Sequence, residues 1–154
     1  MNTTPSDTTG AEAAAGQAVF ERTGLEVLSQ DECWRLAAGS TVGRLAVSIA
    51  NQPDIFPINY AVDGKTIVIT TDAGTKLAAA LLGTAVAFEV DGLDADRHTG
   101  WSIVVHGRAE EVSGVEELLE AEDLGIKTWA NRDKSRFVRI HPTEVTGRRI
   151  PGHD

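Results

Sequence analysis

The stretch Arg44-Leu45-Ala46-Val47-Ser48-Ile49-Ala50, followed by Asn51-Gln52-Pro53-Asp54, by Ile55 to Val62, by Asp63-Gly64 and by Lys65 to Thr71, decides the fold class. Its first segment alternates with period two. Leu45, Val47 and Ile49 face one way, and Arg44, Ala46 and Ser48 the other, which is the pattern of a half-buried strand. Asn51 to Asp54 reads as a turn. Ile55–Val62 reads as a second strand, and Pro57 within it requires an edge, a bulge or a strand start, because proline cannot donate to a ladder. Asp63-Gly64 is a strong two-residue hairpin signal. In the returning strand Ile67 and Ile69 share one face, while Thr66, Val68 and Thr70 share the other. Three strands joined by tight turns predict an antiparallel meander.

Upstream, Ser29-Gln30-Asp31-Glu32 forms a capping box, with Leu28 and Cys33 at the staple positions. It opens a short helix through Trp34 and Leu36 to Ala38, stopped by Gly39. Downstream, Thr71-Asp72-Ala73-Gly74-Thr75 breaks the sheet, and Thr75 can cap a short helix from Lys76 to Leu82. Ala85–Val90 reads as a buried strand, Asp91–Gly100 as a polar loop, and Trp101–Val112 as a long strand with a bulge at Gly107. Ser113 with Glu116 makes a second capping box. A helical turn over Thr128–Asn131, carrying Trp129, and a last strand over Phe137–Ile140 complete the pattern. The exit runs from His141-Pro142 through Gly147-Arg148-Arg149. About six strands with short helices between them give a mainly β class, a barrel or sandwich. The long βαβ alternation of a doubly wound fold is missing.

Residues 1–24 are expected to be a disordered or loosely packed N-terminal tail, being Thr/Ser/Asp-rich and then Ala/Gly-rich. Residues 25–154 are expected to form a single domain. At 154 residues the chain has the length of one domain. A net charge of −9, from 14 basic and 23 acidic residues, argues against a nucleic-acid partner. It leaves room for an anionic ligand, since a few cations and backbone N–H groups suffice for one phosphate. Cys33 is the only cysteine, so an internal disulfide and a thiolate-rich zinc site are excluded. No secretory signal pattern is present, and no run approaches the roughly 18 apolar residues of a membrane span. A cytoplasmic protein without a membrane partner is expected.

Three stretches can carry chemistry. Ile67 to Leu77 ends a strand in Thr70 and Thr71, passes a Gly74-containing loop and begins a helix with Lys76. Helix N-terminal amides, hydroxyls and an ammonium suit a phosphate; a plain hairpin-to-helix loop with a solvated lysine has the same spacing. The run is not a Walker A loop. In Gly100 to Ala109, Trp101, Ile103 and Val105 share one face, and Ser102, Val104 and His106 the other. An indole beside a hydroxyl can face a planar ligand, and a core tryptophan at a strand start has the same pattern. In Pro57-Ile58-Asn59-Tyr60, Asn59 is out of place for an apolar strand and needs partners for its amide. His98, His106, His141 and His153 lack metal-ligand spacing, and no Gly-x-Ser-x-Gly elbow supports acyl transfer. Arg148-Arg149 can clamp a carboxylate or phosphate, or be a solvated tail.

Taken in order, several stretches resemble the pyridoxamine 5'-phosphate oxidase-like FMN-binding split-barrel family, in its nitroimidazole-resistance-type branch. They are Val42 to Ala46, Pro57 to Tyr60, Ile67–Thr71 with Gly74-Thr75-Lys76, Ala87 to Asp91, Gly100 to Ala109, and Arg139 to Arg148. The resemblance implies an antiparallel split β-barrel, FMN as cofactor, and a homodimer with the flavin in a groove between subunits. By position it implies Thr70, Thr71 and Lys76 on the phosphate and Pro57, Ile58, Asn59 and Tyr60 along the ring. It also implies that Trp101 and Ser102 approach the flavin from the other subunit. The strand-borne basic residue of the oxidase proper has no counterpart near Asn59. A flavin-dependent oxidoreductase acting on a small molecule is the reading this supports. A non-enzymatic flavin-binding dimer, or a split barrel using deazaflavin or haem, stands beside it.

Overall fold

The computed structural model describes residues 18–72, 81, 83–126 and 135–152. The strands are β1 (Val19–Phe20), β2 (Glu26–Val27), β3 (Val42–Ile49), β4 (Gln52–Asp63), β5 (Thr66–Asp72), β6 (Ala85–Asp94), β7 (Thr99–Glu111) and β8 (Ser135–Ile150). Two helices are described, α1 (Gln30–Ala38) and α2 (Val115–Asp123). All pairings are antiparallel, in the order β1-β2-β8-β5-β4-β3-β6-β7. β8 also pairs with β7, so β3 to β8 close on themselves as a barrel. Closure removes the two free sheet edges that an open meander would leave.

The expected meander is β3-β4-β5, with altered turns. Ile49 pairs with Gln52, so the first loop is Ala50-Asn51, both at positive φ (50° and 63°). That is a two-residue loop whose backbone twist matches the strands. The turn expected over Asn51–Asp54 is therefore corrected: Pro53 lies in β4 opposite Ser48. The second loop is Gly64-Lys65, with Gly64 at φ 60° and Asp63 paired to Thr66. β4 pairs with β3 along 52–59 but with β5 only along 60–63. Pro53 and Pro57 thus sit where the β5 side of β4 has no ladder partner among the described residues. That is the edge a proline requires, and it is the split in the barrel.

α1 follows its expected span. The Ser29 side chain accepts from the Glu32 backbone N–H at 3.2 Å, and Gly39 is the C-cap. Glu32 does not reach back to the cap; its carboxylate turns to Arg35 and Arg149. Leu28 and Cys33 are both buried. α2 departs from expectation: Gly114 at φ 94° is its N-cap and no side chain caps it, so Ser113 lies one residue too early for the box. β6 and β7 run on through much of the stretch read as a loop, leaving Ala95–His98 as the connection. β8 likewise continues past Pro142 to Ile150. The register shift lies between His106 and Gly107, with Pro142 opposite Gly107 and Glu144 opposite His106. The bulge expected at Gly107 is there, and its extra residue, Thr143, is on β8.

Inside the barrel lie Leu45, Val47, Ile67, Ile69, Phe88, Val90, Ile103, Val105, Val138 and Ile140, with α1 adding Trp34 and Ala37. Tyr60 meets Phe88 edge-on at a centroid distance of 4.7 Å. Val68 points the other way and is fully buried, because α2 covers it through Ala121. Of the expected tail, residues 18–24 fall among those described. Val19–Phe20 pairs with Glu26–Val27, and that strand pairs with Arg148 and Arg149 of β8. Of the expected helix from Lys76 to Leu82, Leu81 is described, helical and buried, while the rest of it and the turn carrying Trp129 lie outside the described residues.

Candidate functional site

The split in the barrel groups part of the expected site. β4 alternates along Pro57–Tyr60: Ile58 and Tyr60 are buried in the core, while Pro57 is exposed and Asn59 half-buried on the outer face. The Tyr60 hydroxyl donates to the Ala37 carbonyl, so the ring belongs to the packing between β4 and α1. Burial pushes its phenol up to about 12. Ile58 and Tyr60 therefore offer a ligand only backbone, whereas Pro57 and Asn59 offer side chains.

β5 lies alongside, with Tyr60 opposite Ile69. Thr70 and Asn59 flank that pair. Thr71 is buried, 5% exposed, and its Oγ1 has no hydrogen-bond partner among the described residues. A buried hydroxyl without a partner costs about 1–3 kcal/mol. Lys76 lies outside the described residues. Beside this end of the barrel is a cavity of about 440 Å³ whose walls include Ser40, Thr41, Tyr60, Ala61 and Ile126.

Trp101 and Ser102 are elsewhere in the same chain. They pair with Gly92 and Asp91 on β6, and β3 separates β6 from β4. The Trp101 indole lies against the Gly92 backbone: a Cβ there would come within 2.6 Å of the ring nitrogen. Two adjoining cavities, about 460 and 190 Å³, are walled by Trp101 together with Arg149; the smaller also has Ser102, Asp91 and Arg148. The sequence left Arg148-Arg149 as either an anion clamp or a solvated tail, and β8 pairs them with Ser102 and Trp101. The available signal was the expected strand partner, which period-two reading cannot name.

Between the two groups the outer face holds a charge cluster. Arg44 Nη1 lies 3.7 Å from Glu89 and 3.6 Å from Asp91. Partial burial, with a hydrogen bond to Asp91, raises the Glu89 carboxyl to about 7, and Arg44 opposes the shift. Among the described residues no His, Cys, Asp or Glu group is arranged to hold a metal ion. No described helix is long and apolar enough to cross a membrane.

The closed six-strand arrangement with its opened β4 edge defines a split β-barrel. The family model described as pyridoxamine 5'-phosphate oxidase matches residues 29–149, and the chain belongs to that family. An uncharacterised protein of Mycobacterium tuberculosis is 38% identical over 128 residues, which are 80% of this chain and 84% of that protein. The structure of an FAD binding protein from Mycobacterium smegmatis is similar at 38% identity with a TM-score of 0.73, over 81% of this chain and 99% of that one. A candidate 5-nitroimidazole antibiotic resistance protein from Bacteroides thetaiotaomicron shares the fold, with a TM-score of 0.66 at 12% identity, over 87% of this chain and 92% of that one.

Proposed function

We propose that this protein binds FMN at the opened β4 edge and works as a homodimeric, flavin-dependent oxidoreductase on a small organic molecule. The observation that carries the reading is the buried Thr71 hydroxyl, unpartnered among the described residues, where β5 leads toward Gly74-Thr75-Lys76. A phosphate oxygen would satisfy it. Thr70 and Lys76 complete a donor set of hydroxyls and an ammonium, which suits a phosphate. Asn59 would hold a polar edge of the ring, with Pro57, Ile58 and Tyr60 contributing backbone along it. When bound, the flavin supplies the hydride or electron chemistry, and these residues bind, orient and shield it.

The dimer is supported by an apolar outer face: Val42 and Ile55 are exposed, and Ala46, Ala87 and Val104 are half-buried on the same side of the sheet. A second copy laid there would bring the start of β7 to the flavin of the other subunit, with the Ser102 hydroxyl on the outer face and Trp101, packed against the core, contributing backbone. Their distance from β4 within one chain favours that arrangement. The lone, buried Cys33 suits a reducing cytoplasm.

One relative favours a second cofactor reading. The Mycobacterium smegmatis protein is described as FAD-binding, and FAD contains the whole of FMN. Titration of purified protein with FMN and FAD, followed by absorbance and by mass spectrometry of the released cofactor, separates the two. Binding of FMN, weakened about tenfold or more by Lys76→Ala, is the expected result. A protein that takes up neither flavin overturns the reading. Turnover of bound flavin with NADH or NADPH against nitro-compounds and quinones tests the oxidoreductase step. Flavin that binds but never cycles makes the protein a flavin-binding module instead.

A further inference from the structure

The outer face of β3, β6 and β7 carries a charged cluster in a largely apolar surround. Arg44 and Glu89 are direct partners across β3 and β6, so their side chains leave the sheet on the same side. Asp91 follows Glu89 by two residues and shares that side. Around them the ladder sets Pro57 opposite Arg44, Val104 opposite Glu89 and Ala46 opposite Ala87. Val42 and Ile55 continue the face and are 39% and 67% exposed.

One guanidinium faces two carboxylates here. Arg44 Nη1 stands 3.7 Å from Glu89 and 3.6 Å from Asp91, beyond hydrogen-bond reach of either. The cluster therefore keeps a net negative charge, and water still reaches it, since the Glu89 and Asp91 side chains are 32% and 34% exposed. The neighbouring charges on this face have other partners. His106, opposite Ala87, lies 3.9 Å from Glu144 of β8, and Arg148, opposite Ser102, is held by Glu21 at 2.6 Å. From β4 the facing residue is Pro57, and from β7 it is Val104.

A second copy on this face would take the cluster out of water, and a two-fold contact brings it in twice, because the same patch is used by both subunits. Burying an uncompensated charge is costly, and a carboxyl escapes the cost by taking up a proton. Glu89 is the carboxyl placed to do so. In the single chain, burial and then the hydrogen bond and charge of Asp91 already raise it to about 7, against the pull of Arg44.

We propose that this face is a proton-linked interface between two copies of the chain: each subunit takes up a proton at Glu89 on association, which leaves Arg44 balanced by Asp91. The inference rests on the homodimer reading above and adds its regulation. A dimer that binds more protons than its separated subunits is tight below about pH 7 and loosens as pH rises above it.

The test follows dissociation of the purified full chain by analytical ultracentrifugation at fixed salt. The dimer dissociation constant should rise about tenfold or more between about pH 6 and about pH 8.5, the direction set by proton uptake on association. Glu89→Gln, neutral throughout, should keep the low-pH affinity across the range. His106→Gln should keep the wild-type slope, which separates Glu89 from a neighbouring imidazole. A dimer whose dissociation does not change with pH, one too tight to dissociate at the upper end, or a slope that survives in Glu89→Gln or vanishes in His106→Gln would overturn the proposal and leave the homodimer standing. A chain that is monomeric at every pH and concentration overturns the homodimer reading, and this inference with it.

Discussion

The Glu32 carboxylate accepts a hydrogen bond from Arg149 at 2.7 Å, joining the first helix to the last strand across 117 positions of sequence. Arg35, one turn along α1, holds the same carboxylate at 2.6 Å. The hydrogen bonds from Arg35 and then Arg149 lower the Glu32 carboxyl from its ordinary 4.5 to about 2. A carboxyl depressed in the folded state stabilises the fold above its unfolded value and loses that contribution as pH falls through the folded one. The stability difference between wild type and Glu32→Gln should therefore be constant above about pH 5 and shrink between about 4.5 and 2. Chemical denaturation across that range checks it; a difference that does not change with pH counts against the assignment.

Glu89 has the opposite sign. Its carboxyl is raised to about 7 in the folded state, so the fold prefers it protonated. Stability should fall as pH rises from about 4.5 to 7, because the native state binds the proton more tightly. Glu89→Gln should remove that slope and be more stable than wild type at pH 8, by up to about 1 kcal/mol given solvent screening. Thermal melts of both proteins at several pH values measure it.

Thr71→Val separates a ligand hydroxyl from a structural one. In protein without flavin, replacing an unpartnered buried hydroxyl by a methyl should leave stability unchanged or raise it by about 1 kcal/mol. FMN affinity should drop about tenfold, if a phosphate oxygen is the missing partner. Melting temperature without flavin and FMN titration together decide; marked destabilisation of the flavin-free protein would mean that the hydroxyl has a structural partner.

Gly107→Ala should be among the costly single changes. A Cβ there would stand 2.3 Å from the His141 carbonyl oxygen, and backbone at a bulge cannot step aside. A loss of about 1–3 kcal/mol is expected by equilibrium unfolding. Gly64→Ala meets no atom within 4 Å, but its φ of 60° makes it a smaller, purely conformational loss of about 1 kcal/mol.

The local reading and the structure agree where the physics is local. The alternation of Leu45 and Val47 against Arg44 and Ser48 is the burial pattern itself, since successive side chains of a strand face opposite sides. The Ser29 cap and the Gly39 stop need only a few neighbouring residues. The need for an edge at Pro57 follows from a missing N–H. The expected loop and cap positions lie a residue or two from the observed ones, and local signals do not fix them. Tight loops can be built at Ala50-Asn51 or Gly64-Lys65 as well as one residue away, and the strand register chooses between them. Gly114, not Ser113, begins α2 because the chain turns there through positive φ.

By itself the sequence determined a mainly β domain, its meander, its first helix and, through ordered resemblance, its family. The tertiary structure alone decided that β8 closes the barrel on both β5 and β7, and that it brings Arg148 and Arg149 to Trp101. It also decided that Tyr60 is core while its neighbour Asn59 faces outward beside Thr70. The physical reason is the range of the forces involved. Alternation, caps and proline geometry act over a few residues, whereas closure and the meeting of Glu32 with Arg149 depend on which distant strand offers a matching ladder and charge.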